Sequence, residues 1–184
     1  MRSVEARIVK PAKFAHFVLR VSDLEEAISW YAAVLGMHSV HRNEFICFMT
    51  YDDEHHRLAL VQSPAPTQPD ALPSRNAPGL DHVAYTLNSL EDLLSTYKRL
   101  RDAGILPVWP INHGLTTSLY YADPDGHRVE FQVENLDSRE ALQGYMQSAE
   151  FAANPIGVEF DPEILLARYE QGDPLQDLLR QGAI

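Results

Sequence analysis

Cysteine is almost missing from this sequence: Cys47 stands alone among 184 residues. No intramolecular disulfide can form, so the chain relies on its own core. That suits a reducing compartment, and a cytoplasmic location is expected. Cations are also scarce, with 15 Lys and Arg against 26 Asp and Glu, a formal net charge of −11. No Lys/Arg cluster supplies the basic face that nucleic acid needs. An anionic membrane surface repels such a chain on average. No apolar run approaches the roughly 18 residues of a membrane-spanning helix. Residues 1–14 lack the long apolar stretch of an export signal. Neither nucleic acid nor a membrane is therefore an expected partner.

What is present is an ordinary globular composition, 45% hydrophobic and 22% charged. Residues 14–21 are short, apolar and partly β-branched, which predicts a strand. Ser22 to Glu25 reads as a capping box, followed by Leu24, Ala27, Ile28, Tyr31 and Leu35 at helical spacing, with Gly36 as the stop. Extended segments are expected near 38–41, 44–50 and 57–62. Residues 63–79 hold five prolines without periodicity and read as a linker. The same order then returns: a strand over 80–87, a helix capped by Ser89, and strands at 105–109, 117–121 and 127–133. Asp123-Pro124-Asp125-Gly126 is a turn signal. A shift of 66 residues lays His16 on His82, Leu24 on Leu90, Glu25 on Glu91 and Tyr31 on Tyr97. Two strand–helix–sheet modules follow from that repeat. Beyond Leu136 one helix is expected over 139–151, another after Asp161-Pro162, and a third after Asp173-Pro174.

Strand parity selects the residues that can carry chemistry. His16 shares a face with Phe14, Val18 and Arg20, His82 with Ala84 and Thr86, and Glu130 with Arg128 and Gln132. Two imidazoles and a carboxylate make a facial triad suited to Fe(II), although Zn(II) and Mn(II) use the same atoms. Parity alone also leaves open the blander readings. These are histidines packed in their own sheet, and a solvated Arg128–Glu130 face.

The stretch from Phe14 to Val133, about two-thirds of the chain, resembles the vicinal oxygen chelate superfamily. More specifically, it resembles the catalytic domain of type I extradiol ring-cleaving dioxygenases. The likeness rests on Ala15-His16-Phe17-Val18, Tyr31-x-x-x-Leu35-Gly36, His55-His56-Arg57-Leu58-Ala59-Leu60, Asp81-His82-Val83-Ala84 and the block from Asp123 to Glu130. The resemblance implies an α+β fold of two βαβββ modules forming one open cup-shaped barrel, with a C-terminal helical extension. It places the domain at 1–135, with modules at about 14–62 and 80–133, and the extension at 136–184.

The same resemblance implies a site. His16, His82 and Glu130 match the family's iron ligands. His56 matches its proton-handling histidine, Tyr120 its active-site tyrosine, and His113 an outer histidine. Fe(II) is the implied metal, with Mn(II) as its substitute. The substrates would be an aromatic vicinal diol and dioxygen, and the product a ring-opened compound holding both oxygen atoms. A homo-oligomer is expected. The better-known extradiol enzymes carry a second two-module domain ahead of the catalytic one, whereas thirteen residues precede Phe14 here. Single-domain relatives form a branch of the family, and the tail from Leu136 resembles their extension. Two other readings stay open: a glyoxalase-like lyase or isomerase, and a bleomycin-resistance-type binding protein.

Overall fold

In this computed structural model residue 8, residues 10–63 and residues 78–184 are described. Most of the proline-rich linker, 64–77, and residues 1–7 and 9 lie outside them. The chain divides into two compact units, Met1–Thr67 and Gln68–Ile184.

The first unit runs β1 (Phe17–Val21), α1 (Leu24–Leu35), β2 (His38–Arg42), β3 (Ile46–Thr50) and β4 (Leu58–Gln62). Its sheet has the order β1-β4-β3-β2, with β1 and β4 parallel and the remaining pairs antiparallel. Helix α1 buries Leu24, Ala27, Tyr31 and Val34. On the sheet, Leu19, Val21, Cys47, Met49, Leu58 and Leu60 complete that core. The helix cap lies one residue later than the sequence suggests. Asp23, not Ser22, is N-cap and accepts the Glu26 amide at 3.0 Å. Gly36 ends the helix at φ 66°, a left-handed conformation that costs glycine little.

The second unit repeats the order with β5 (His82–Thr86), α2 (Leu90–Asp102), β6 (Trp109–Asn112), β7 (Thr116–Ala122) and β8 (Arg128–Glu134). It continues through α3 (Arg139–Met146), α4 (Ala149–Ala153), β9 (Val158–Glu159), α5 (Pro162–Glu170) and α6 (Leu175–Leu178). The sheet order is β5-β8-β7-β6-β9, with β5 parallel to β8. Leu93, Leu94, Tyr97 and Leu100 of α2 are buried, as are Leu119, Tyr121, Val129, Phe131 and Val133 of the sheet. Helices α1 and α2 begin 66 residues apart, at the repeated Leu24 and Leu90.

The expected cup-shaped barrel is overturned. Closing a barrel requires a sheet's two edge strands to bond to each other. Here β1 and β2 end one sheet, and β5 and β9 end the other. The first strand of each module pairs with its last and so becomes an edge. Among the described residues no sheet closes. The architecture is α+β with two open sheet modules.

Three further expectations shift. The strand predicted at 105–109 begins only at Trp109, because Ile105 still bonds back to the Leu100 carbonyl of α2. The single helix predicted over 139–151 is two, because Ser148 caps a new start by accepting the Phe151 amide at 3.1 Å. The extension is not wholly helical either, since β9 pairs antiparallel with β6.

Candidate active site

In the second unit the repeated histidine opens β5. His82 Nδ1 lies 2.7 Å from Asp81 Oδ2, and its Nε2 lies 3.0 Å from Glu130 Oε2. Glu130 comes from the middle of β8, and its residue is 4% exposed. The ladder sets Glu130 opposite Ala84 on one side and Tyr120 on the other. Tyr120 therefore shares its face. Tyr121 points the other way, into the helix-covered core against Phe131 at 5.9 Å between ring centroids.

The Tyr120 ring meets His82 edge-on at 5.1 Å and stacks at a tilt on Trp109 at 4.9 Å. His113 Nε2 lies 3.1 Å from the Tyr120 hydroxyl and 4.0 Å from Glu130 Oε1. Its other nitrogen, Nδ1, bonds the Ile156 carbonyl. Burial, followed by the Glu130 charge and a hydrogen bond to Glu130, drives the Tyr120 pKa well above that of an ordinary phenol. Asp81 is held below the usual carboxylate range, first by its bond to His82, with Arg128 adding its charge.

In the first unit His16 stands one residue before β1. The His56 ring sits over it, 4.3 Å away between centroids, and Phe48 flanks His56 at 4.7 Å. His55 Nδ1 and His56 Nδ1 are 2.6 Å apart, so one ring donates and the other accepts. Burial first, then the neighbouring His16 and His55, lower the His56 pKa and favour its neutral form. Arg57 anchors this loop to the entry of β1. Its guanidinium donates to the Phe14 carbonyl at 2.6 Å, to Ala15 at 3.2 Å and to Asp52 at 2.9 Å.

The structure thus brings together His82, Glu130, Tyr120 and His113 within one unit, and His16 and His56 within the other. Among the described residues no three His, Cys, Asp or Glu side chains form a ready-made cation cluster. The donor chemistry nevertheless fits a cation. Asp81 accepts from Nδ1–H of His82, so a neutral His82 turns the lone pair of Nε2 toward the buried Glu130 carboxylate. Two lone pairs facing each other at 3.0 Å call for a proton or a metal ion between them.

The sheet registers also bear on ligand number. His82 pairs with Arg128, two residues before Glu130, and Phe17 pairs with Leu58. Carrying that register back to His16 sets Ala59 at the position matching Glu130. The first module supplies no carboxylate there. Sequence reasoning missed Asp81 as the partner of His82, although its adjacency on the strand is a signal. It also missed Arg57 and the Ile156 carbonyl. A main-chain acceptor leaves no mark in residue types.

Residues 13–131 match the family described as the glyoxalase/bleomycin resistance protein/dioxygenase superfamily. The chain is 45% identical over 165 residues to biphenyl-2,3-diol 1,2-dioxygenase 2 of Rhodococcus globerulus, covering 89% of this chain and 84% of that one. It is 43% identical over 166 residues to biphenyl-2,3-diol 1,2-dioxygenase 3 of the same organism, covering 90% and 86%. A glyoxalase/dioxygenase structure from Nostoc punctiforme shares the fold at a TM-score of 0.58 and 19% identity, covering 72% of this chain and 99% of that one. The chain belongs to the glyoxalase/bleomycin resistance protein/dioxygenase superfamily and is an extradiol-dioxygenase-type member of it.

Proposed function

We propose that this extradiol ring-cleaving dioxygenase holds Fe(II) through His16, His82 and Glu130 and opens an aromatic vicinal diol with dioxygen. The observation that carries the reading is 45% identity, across 89% of the chain, to a protein named for dioxygenase action on biphenyl-2,3-diol. The buried His82–Glu130 pair supports the ligand set by offering a nitrogen and an oxygen donor to one cation. The neutral alanine at position 59 favours three protein ligands over the four-ligand set of a glyoxalase.

Fe(II) bound there supplies Lewis acidity toward the diol and an electron path from diol to dioxygen, and Mn(II) suits the same donors. The chain's side chains do the rest. Tyr120, kept as a phenol, has one proton to donate, to a substrate oxygen, to Glu130 or to His113 Nε2. His56, kept neutral, accepts a proton from a diol hydroxyl and returns it later. Trp109 against Tyr120 provides an aromatic wall.

The test is anaerobic purification, Fe(II) loading and oxygen uptake with biphenyl-2,3-diol. One dioxygen should be consumed per diol without added reductant. The yellow product should be heavier by two oxygen atoms. His82→Ala should lose iron. Equal iron in wild type and variant overturns the ligand set, and diol binding without oxygen uptake overturns the reaction.

A further inference from the structure

The extension reaches the site through one peptide group. The Ile156–Gly157 peptide is trans and planar, so its C=O and N–H point in opposite directions. Asn154 holds its N–H and also the carbonyl of the following peptide. Its Oδ1 accepts the Gly157 amide at 3.0 Å, and its Nδ2 donates to the Gly157 carbonyl at 2.9 Å. With the amide turned to Asn154, the Ile156 carbonyl is turned to His113 Nδ1, where it is the acceptor.

The approach is close. A Cβ on Gly157 would lie 2.4 Å from the Asn112 carbonyl oxygen and 2.9 Å from His113 Cα, and φ there is +118°. The pairing of Ile111 with Glu159 and Asn112 with Val158 holds the segment on β6. Glu159 also accepts from the Trp109 indole at 2.8 Å.

A carbonyl accepts and never donates, so the proton of a neutral His113 must sit on Nδ1. Nε2 is then a lone pair aimed at the Tyr120 hydroxyl, 3.1 Å away. Free imidazole side chains favour the opposite tautomer. We propose that Asn154 is a positioning residue: through the Ile156–Gly157 peptide it fixes His113 with Nδ1–H, so that Nε2 presents a lone pair to the Tyr120 hydroxyl and competes with Glu130 for its one proton. The part His113 and Tyr120 play in turnover rests on the ring-cleavage reading, whereas the tautomer does not.

The experiment uses the full chain labelled with 15N-histidine, with Zn(II) added as a diamagnetic ion, above the pH range of imidazole titration. His113 is assigned by the resonance lost in His113→Gln. Wild type should show His113 protonated on Nδ1 alone. Asn154→Ala should mix the tautomers, and Gly157→Ala, which pushes the segment off β6, should do the same. In the Fe(II) enzyme Asn154→Ala should retain iron and lower kcat about tenfold, the size expected when one orienting hydrogen bond is lost. KM for biphenyl-2,3-diol should stay within about twofold, since no substrate contact is removed. A wild-type His113 protonated on Nε2 overturns the proposal whether or not any variant folds. So does an Asn154→Ala chain with an unchanged tautomer or unchanged kcat. A wild type that turns over no diol, yet shows the Nδ1–H form and loses it in Asn154→Ala, overturns the ring-cleavage reading and leaves the positioning intact.

Discussion

His56 combines three features expected of a proton carrier: burial and its neighbours lower its pKa, it contacts His16, and it shares a hydrogen bond with His55. Its ring lies against Phe48, and so it has an apolar side as well as a polar one. Replacing it removes a proton acceptor without removing a proposed metal ligand. His56→Ala should therefore keep its iron and lose about 10²-fold in turnover at saturating diol near neutral pH. Unchanged turnover, with iron content matched to wild type, would remove His56 from the proton path. At this scale the sequence was legible wherever a residue type marks its chemistry. The repeat picked out His16 and His82, and strand parity gave Glu130 a face apart from Val129 and Phe131, whereas Tyr120 came from the family resemblance and the ladder set it opposite Glu130. It was silent where the partner is a backbone oxygen, as at Ile156, or where the group is an ordinary ion pair such as Arg57 with Asp52.

Among the elements, the β7–β8 turn shows a local signal becoming geometry. Asp123 ends the hairpin strand, and its Oδ1 accepts the amides of Asp125 at 3.0 Å and His127 at 2.8 Å. Its Oδ2 holds His127 Nδ1 at 2.9 Å. Pro124 and Gly126 suit the turn, as their residue types predict. The hydrogen bond to Asp123 raises the His127 pKa above that of a free imidazole, although burial opposes it. A raised folded-state pKa contributes stability that is complete below the unfolded value of about 6.5 and fades as pH rises through the folded one. His127 is part-exposed, so that contribution is at most about 1 kcal/mol. The wild-type melting temperature should exceed that of His127→Gln by about 2 °C more near pH 6 than near pH 9. A gap that widens with rising pH would reverse the assignment. Elements less tied to local chemistry were harder to read. The predicted strand at 105–109 begins late because the C-terminal turn of α2 holds Ile105 through its bond to the Leu100 carbonyl, a helix-ending motif that strand propensity does not register.

The whole molecule repeats one module but finishes only the second with an extension, and this asymmetry explains which global features the sequence conceals. Repeat spacing and element order are carried by side chains. Sheet closure depends on which backbone edges meet, and on that point the cup-shaped barrel failed. The extension's capped helices were legible, but their docking surface was not. In the structure α5 lies against α2 of its own unit. Glu163 accepts from the Tyr97 hydroxyl at 2.7 Å and from Arg101 at 2.9 Å, while Lys98 pairs with Glu170 at 2.8 Å. The Arg101 and Lys98 pairs lie in solvent and contribute little individually, while the Tyr97 bond is part-buried. The apolar contact carries more weight, and two adjacent residues separate the effects. Leu165 is 1% exposed, whereas Ile164 is 50% exposed. Leu165→Ala removes buried methylenes and leaves a cavity, so it should cost about 2–5 kcal/mol in urea unfolding. Ile164→Ala faces outward and should stay within about 0.5 kcal/mol of wild type. If both variants cost the same, α5 does not hold to its unit through this face.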